Sequence, residues 1–424
     1  MQQKKGRRMK KIELLKGIFP VVLAVASACE VVDNDMEKHV DAQNDSSYVA
    51  LHEVASILSA VPLEGEHLYE VHSAVTSSSG NGYDEEYTVR DMFSVPGKGV
   101  GENQTRSTKI YDNPLKSLIE NHVRSEAFTK STGEARNAED FLNALMSSDI
   151  QIYWPFSEDW DGSALPVITF DPEDGSEVNI GYRIEVDDDG SRRICEIAVD
   201  EDLARRNPVW VVNRNEDAEY TSLEILRRED ENWGEGGGAI ILEPQSVSPS
   251  AVRSKTDGGA GDEAGGKTLI LKEFTMKRNY DSWFAGASEF FVKVGSVEDF
   301  TATTEAEMKL YVPAVTDFMI VVKRSQVGKP QPFNAVLVSD WTDQMLNCAF
   351  LITEDDGGTR TDWNCTALVR VASKSYGVEM KIPFNSRDDI VWRGQLAAKW
   401  LQANSNVVGH FGDVDLTFEV LEYF

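Results

Sequence analysis

Two tryptophans and two aspartates occur in one short stretch, at Trp154, Asp159, Trp160 and Asp161. Aromatic faces stack on sugar rings, and carboxylates accept hydrogen bonds from hydroxyl groups, so this group suits a carbohydrate ligand. Two carboxylates about 5–10 Å apart can also hydrolyse a glycosidic bond. The chain contains nine Trp and 71 Asp and Glu residues, so such neighbours also arise by chance. These four residues are therefore candidate ligand-binding residues, and no catalytic residue is assigned.

A second acidic stretch has the spacing of a calcium loop. Glu185, Asp187, Asp189, Gly190 and Glu196 fall at positions 1, 3, 5, 6 and 12 of an EF-hand-like loop. The flanking residues alternate as strands do, whereas an EF-hand needs helices, so a plain hairpin with an Asp-Gly turn is the favoured interpretation. Calcium at Asp187, Asp189 and Glu196 remains the alternative. It is the one cofactor that the sequence suggests, although other acidic loops could also meet to hold a cation.

Cys348 and Cys365 flank a segment that contains Asp356-Gly357, a strong signal for a two-residue hairpin loop. That loop would place Cys348 directly opposite Cys365. In a non-hydrogen-bonded pair the Cα atoms approach to about 4.5 Å, which is within the range that a disulfide accepts. The sequence therefore predicts a Cys348–Cys365 disulfide, with two free thiols on neighbouring strands as the alternative.

Several classes of function lack their motifs in this sequence. It contains no His-Glu-x-x-His, no Gly-x-Ser-x-Gly and no phosphate-binding loop that ends in Gly-Lys-Ser/Thr. The formal net charge is −29, so phosphate backbones and anionic lipid surfaces would repel the chain. Nucleic acid is accordingly not an expected partner.

The N-terminus differs in charge from the rest of the chain. Residues 1–28 contain seven Lys and Arg residues and a single acidic residue. The segment ends in an apolar run, Ile18–Ala28, that is too short to span a bilayer. A basic start, a short apolar run and small residues are typical of a secretory signal. The end of this segment, Ala26-Ser27-Ala28-Cys29, resembles the cleavage box of bacterial lipoproteins. The acidic residues that follow, Glu30 to Glu37, resemble the surface-export signal of Bacteroidota lipoproteins.

That resemblance implies a lipid on Cys29, which would be the first mature residue and would attach the protein to the outer membrane, on the cell surface. Residues 1–28 would be the lipoprotein signal peptide, and residues 29–46 are polar and predicted to be a flexible tether. The lipid would supply the membrane contact, since the sequence contains no second apolar run that could span a bilayer.

Hydrophobic periodicity predicts an α+β fold, with a helical N-terminal region followed by a small β domain and an antiparallel β-sandwich. Apolar residues recur at helical spacing in residues 47–149, and the period changes to two in residues 150–242. A Gly-rich linker occupies residues 243–267, and the sandwich would be formed by residues 268–424. Leu223–Leu226 and Met308–Val312 are among the predicted strands.

Residues 150–424 resemble a family of secreted bacterial β-sandwich proteins of unknown function. The resemblance lies in the segment Tyr280–Val292, with its Trp, Gly and Glu spacing, and in Pro208–Asn213. It implies a β-sandwich and no catalytic residue.

We expect a cell-surface lipoprotein that binds an extracellular glycan or protein without catalysis. One alternative is a secreted hydrolase with carboxylates from the middle and last domains, and another is a structural subunit of a surface assembly. The sequence does not predict the oligomeric state.

Overall fold

The computed structural model describes residues 48–94, 114–125, 137–187, 190–215, 220–229 and 266–423. All of them belong to one compact unit, Ser46–Phe424. The predicted signal peptide, Cys29 and most of the predicted linker lie outside the described residues. The protein is mostly β, with 43% of residues in strands, several sheets and a few helices. No helix within the described ranges is long and apolar enough to cross a membrane.

Nine α-helices occur in the described residues: α1 Leu51–Ala60, α2 Gly65–Gly80, α3 Val89–Phe93, α4 Leu115–Val123, α5 Ala138–Met146, α6 Glu201–Ala204, α7 Leu223–Glu229, α8 Glu305–Met308 and α9 Ala398–Ala403. The helices α1, α2, α4 and α5 bury one apolar stripe each, as their periodicity predicts. The side chain of Asn137 caps α5, because it accepts a hydrogen bond from the Glu139 amide at 3.1 Å.

The first sheet has six strands: β1 Glu86–Thr88, β2 Ile150–Tyr153, β3 Val167–Phe170, β4 Asn179–Val186, β5 Arg192–Val199 and β6 Val209–Arg214. Their order is β1-β2-β6-β3-β4-β5, and β3 is parallel to β6 whereas the other pairs are antiparallel. Trp210 and Val212 of β6 pack against the helices, while Val209 and Val211 pack on the other face against Trp283 and Phe284. Burial on both faces explains the uninterrupted apolar run of β6.

Two further sheets follow, built from β7 Gly266–Met276, β8 Ser288–Ser296, β9 Ala314–Val322, β10 Gln331–Trp341, β11 Met345–Glu354, β12 Arg360–Val371, β13 Lys374–Asn385, β14 Asp389–Ala397, β15 Val408–Phe411 and β16 Val414–Tyr423. One has the order β10-β7-β16-β15, and the other has the order β13-β12-β11-β8-β9 with β14 also paired to β11. All of these pairs are antiparallel.

The strand β11 is buried on both faces. Phe350 and Ile352 join the core shared with β7, β10 and β16, while Ala349 and Leu351 face the β12–β13 hairpin. The core between the two sheets therefore contains the larger apolar residues of β11, and a second apolar layer lies beneath the hairpin.

The predicted hairpin register between β11 and β12 is wrong. Cys348 pairs with Leu396 of β14, and Cys365 pairs with Met380 of β13. The strand β14 occupies the edge of β11 that the hairpin would have used, so β11 and β12 pair only near Asn347. Cys195, Cys348 and Cys365 are free thiols in this structure, so the predicted disulfide is absent from it.

Two predicted strands are also wrong. Leu223–Leu226 lies within helix α7, where the Ser222 hydroxyl accepts a hydrogen bond from the Ile225 amide at 3.2 Å. Met308 ends helix α8, which Thr304 caps by accepting from the Glu307 amide at 3.2 Å. In both segments a hydroxyl side chain begins a short helix, and this local signal outweighs the β-branched and apolar residues that follow.

Candidate functional site: an aromatic cleft at one end of the first sheet

The candidate cleft lies where β2 ends and β6 begins. These strands are antiparallel, with Tyr153 opposite Val211, so the residues that follow β2 meet the residues that precede β6. The Val167 amide at the start of β3 donates to the Pro208 carbonyl at 3.0 Å and fixes the same end of the sheet. The cleft is therefore formed by two loops that rigid strands hold in place.

One wall of the cleft is aromatic. The ring centroid of Trp160 lies 5.3 Å from that of Trp154 and 5.1 Å from that of His72. The Trp160 indole donates to the Ala164 carbonyl at 3.1 Å, which fixes the orientation of its ring. Trp154 is only 1% exposed and supports the wall, whereas Trp160 is half-buried and offers the accessible aromatic surface.

The two predicted aspartates are exposed at the rim of this wall. Asp161 Oδ1 accepts hydrogen bonds from the Ser163 amide at 2.8 Å, the Ser163 hydroxyl at 3.0 Å and the Ala164 amide at 3.1 Å. These hydrogen bonds lower the pKa of Asp161, led by the one from the Ser163 amide. Asp161 is thus held ionised and presents an acceptor at the rim.

The opposite wall comes from Arg205, Arg206 and Asn207, which were not predicted from the sequence. All three are exposed. Arg205 donates to Glu201 at 2.6 Å, and its guanidinium lies 4.7 Å from the centre of the Phe156 ring. Two consecutive arginines just before Asn-Pro are unusual in so acidic a chain and could have marked these residues. Their distance from Trp160 along the sequence gave no reason to place them in the same site.

Phe156 adopts a left-handed backbone conformation, with φ 59° and ψ 32°. Such a conformation is rare for a bulky residue and is retained where the surrounding structure enforces it. Here it turns the chain out of β2 and into the 3₁₀ turn Ser157–Asp159, which brings Trp160 back over Trp154.

The cleft has a volume of about 190 Å³. Pockets for drug-sized ligands usually measure about 300–1,000 Å³, so this cleft suits a single ring of a ligand. Its walls offer an aromatic face, carboxylate acceptors, and guanidinium and amide donors. Sugar hydroxyls both donate and accept hydrogen bonds, so a hydroxylated ring matches this combination.

A buried carboxyl group, that of Glu85, supports the turn beneath the aromatic wall and contacts the exposed Glu158. Glu85 is 4% exposed, accepts from the Ser157 hydroxyl at 2.9 Å, and lies 3.7 Å from the Lys323 ammonium. Burial, partly offset by Lys323, raises the pKa of Glu85 to about 8. Burial also disfavours the ionised form of Glu158, but hydrogen bonds from Glu85, from its own backbone and from Ser325, together with the charge of Lys323, outweigh burial and lower the pKa of Glu158.

The structure separates the residues of the suggested calcium loop. The strands β4 and β5 form a hairpin in which Val186 pairs with Arg192 and Glu196 pairs with Tyr182. Glu196 is four residues beyond Arg192, which places it about 14 Å along the strand from the turn at Asp187. The Glu185 carboxylate is bound to Arg193 at 2.5 Å, and Asp189 lies outside the described residues. These positions do not converge on one ion, and the hairpin interpretation is confirmed.

Another group of carboxylates does converge, far from the cleft in sequence. Asp281, Glu354 and Asp356 each offer an oxygen atom, and these atoms lie within 4.8 Å of one another. Asp281 follows β7, Glu354 ends β11, and Asp356 lies in the loop between β11 and β12. Their sequence separation hid this group, although Asp355-Asp356-Gly357-Gly358 marked the loop.

Comparison of the chain with protein-family models, with curated proteins and with solved structures finds no match.

Proposed function

We propose that this chain is a lipid-anchored, cell-surface protein of the bacterial outer membrane that binds an extracellular glycan through the cleft at Trp160, without catalysis. The observation that carries the proposal is the convergence of Trp160, Asp159 and Asp161 with Arg205–Asn207 around a ring-sized space. The lipid on Cys29 and the export signal remain inferences from the sequence. We also infer that the helices and the first sheet form an N-terminal α+β part, and that the sheets of β7 to β16 form an antiparallel β-sandwich.

The chemistry of the rim favours binding over glycoside hydrolysis. A glycosidase needs one carboxyl that stays protonated to act as the acid, whereas hydrogen bonds from Ser163 and Ala164 lower the pKa of Asp161. Two carboxyls with raised pKa values, those of Glu354 and Asp281, are not accessible to a sugar. Glu354 is fully buried, and the cavity that Asp281 lines measures about 20 Å³, which is room for about one water molecule.

A glycan-array screen of the purified protein, followed by titration calorimetry with the best ligand, tests the binding site. We expect Trp160→Ala to weaken binding at least about 10-fold, because stacking contributes about 0.5–1.5 kcal/mol beyond the lost contact area. Trp400→Ala is the matched control, since Trp400 is 39% exposed and packs on Phe411 away from the cleft. Equal affinity in the wild type and in Trp160→Ala would refute the site.

A second pair of variants tests the polar wall without disturbing the aromatic packing. Arg206→Ala removes an exposed guanidinium from the cleft, and Arg393→Ala removes an exposed guanidinium on β14. We expect several-fold weaker glycan binding in the first variant and unchanged binding in the second. If both variants bind like the wild type, Arg206 does not contact the ligand.

The lipid anchor has a separate test. We expect Cys29→Ala to move the protein from the membrane fraction to the soluble fraction, whereas Cys195→Ala should leave it in the membrane. Protease added to intact cells should digest the wild type if the protein faces outward. Membrane retention of Cys29→Ala would overturn the anchor and leave the cleft proposal intact.

A further inference from the structure

The carboxylates of Asp281, Glu354 and Asp356 form a compact group. Oxygen atoms from all three lie within 4.8 Å of one another. Calcium binds oxygen at about 2.3–2.6 Å, so two of its ligand atoms are separated by at most about 5 Å. The group thus has the dimensions of one coordination sphere.

Glu354 supplies an independent sign that something is bound there. Its side chain is 0% exposed, and the one polar side chain that its carboxylate contacts is another carboxyl, that of Asp281. Asp281 Oδ2 is likewise buried, with no amide, hydroxyl or cationic donor. A buried carboxylate without donors costs several kcal/mol, so proteins either protonate it or place a cation beside it. Both orphaned side chains belong to the same three-residue group.

Two cationic side chains, Arg324 and the exposed Arg387, compensate part of the charge of the group. Arg324 is 7% exposed, and its guanidinium donates to the backbone carbonyls of Asp281 at 2.7 Å and Gly286 at 3.2 Å. It also lies 3.7 Å from the carboxylate of Glu201, which uses part of its charge. Asp389 pairs with Glu354 across β14 and β11 and adds a further negative charge. The group therefore remains electronegative.

We propose that Asp281, Glu354 and Asp356 bind one Ca²⁺ ion, which ties the loop after β7 to the end of β11. The donor set contains only carboxylate oxygens, which are the ligands of hard cations, with no imidazole or thiolate that would favour zinc or copper. Calcium suits the group better than magnesium, because calcium accepts irregular arrangements and bidentate carboxylates whereas magnesium requires a near-ideal octahedron.

The ion would act as a structural cross-link. Two residues after Asp281, Trp283 is fully buried against the first sheet, and its indole donates to the Glu177 carbonyl at 3.0 Å. Glu354 ends β11, which is central to a C-terminal sheet. A cation that joins Asp281 to Glu354 therefore stabilises the contact between the segment that packs on the first sheet and the strands that follow.

The test uses the full-length protein, stripped with EDTA, at pH 7.5 in 150 mM KCl so that weak surface binding is screened. Calorimetry should find one Ca²⁺ per chain. Saturating Ca²⁺, about 100 times Kd, should raise the melting temperature by several degrees, and the same concentration of Mg²⁺ should raise it less. Absence of both Ca²⁺ responses would overturn the site, and equal responses to Mg²⁺ would overturn the choice of ion.

Three variants assign the response to these residues. Glu354→Gln should weaken Ca²⁺ binding at least about 10-fold while leaving the metal-free protein as stable as the wild type or more stable, because it removes a buried charge. Asp356→Asn, at the half-buried edge of the group, should also weaken binding and covers the case in which Glu354→Gln does not fold. Glu298→Gln is the control, because burial also raises the pKa of Glu298 but Ser339 satisfies its carboxylate. Wild-type Ca²⁺ binding in the folded Glu354 or Asp356 variants would refute the proposal.

Discussion

Replacing Glu85 with glutamine should change how the stability of the protein depends on pH. Glu85 is 4% exposed, and its pKa rises from 4.5 to about 8, chiefly through burial. The folded state then holds this proton more tightly than the unfolded state does. The stabilisation that this proton contributes is complete below about pH 4.5, and it is lost as the pH rises through about 8.

The size of the effect follows from the two pKa values. At about 1.4 kcal/mol for each tenfold difference in proton affinity, the change from 4.5 to about 8 corresponds to at most about 5 kcal/mol. Coupling with Glu158 and Lys323 divides this free energy among several groups, so we expect a measured effect of about 1–4 kcal/mol. Glutamine keeps the acceptor for the Ser157 hydroxyl and a donor towards Glu158, but it does not ionise.

The assay is urea denaturation of the wild type and of Glu85→Gln at pH 5, 7 and 9. The difference in unfolding free energy should grow in favour of Glu85→Gln as the pH rises. Glu139→Gln is the control, because an exposed hydrogen bond with Arg124 lowers the pKa of Glu139 and its contribution is constant above pH 5. Parallel stability curves for the wild type and Glu85→Gln would show that Glu85 ionises normally and would refute the reasoning.

Two further predictions concern the core and the turns. Unfolding without a reductant should make Cys195, Cys348 and Cys365 all reactive towards iodoacetamide. In the native protein Cys348 should resist alkylation, because burial raises its pKa to about 12. A Cys348–Cys365 bridge found by mass mapping would contradict the free thiols. Gly412→Ala should lower stability by about 1–3 kcal/mol, because the added Cβ would lie 2.4 Å from the Val391 carbonyl oxygen at a φ of +62°. Gly65→Ala in α2 has open space at this position and is the control, expected to be neutral or slightly stabilising in the same urea titration.

Local sequence patterns predicted helices and hairpins well where nearby residues alone determined the structure. The apolar stripe of α1 and the β4–β5 hairpin are both present in the structure. The same kind of signal failed at Asp356-Gly357, because β14 pairs with β11 and displaces the hairpin partner. A turn motif reports the next few residues, whereas the choice between two distant strands depends on packing across the whole sheet.

The candidate site was likewise predictable only where its residues are close together in the sequence. Trp154, Asp159, Trp160 and Asp161 are near one another in sequence, so composition alone could select them. Arg205–Asn207 reach the cleft only because β2 and β6 are neighbours in the sheet. The group of Asp281 with Glu354 depends on an even longer connection, and no spacing rule links residues so far apart.

Some acidic residues of the chain are buried in its interior, which the net charge of −29 does not reveal. Asp84 and Glu85 are buried where the first sheet meets the segment after β7, since Asp84 Oδ2 accepts from the Ala287 amide at 2.9 Å and Glu85 faces Lys323. Glu354 is also buried, in one group with Asp281 of that segment. Surface carboxylates change stability little when they ionise, but buried ones do so strongly. Protons and calcium should therefore act on the same junction, the proton through Glu85 and the cation through Glu354, and the Gln variants at these two positions separate their effects.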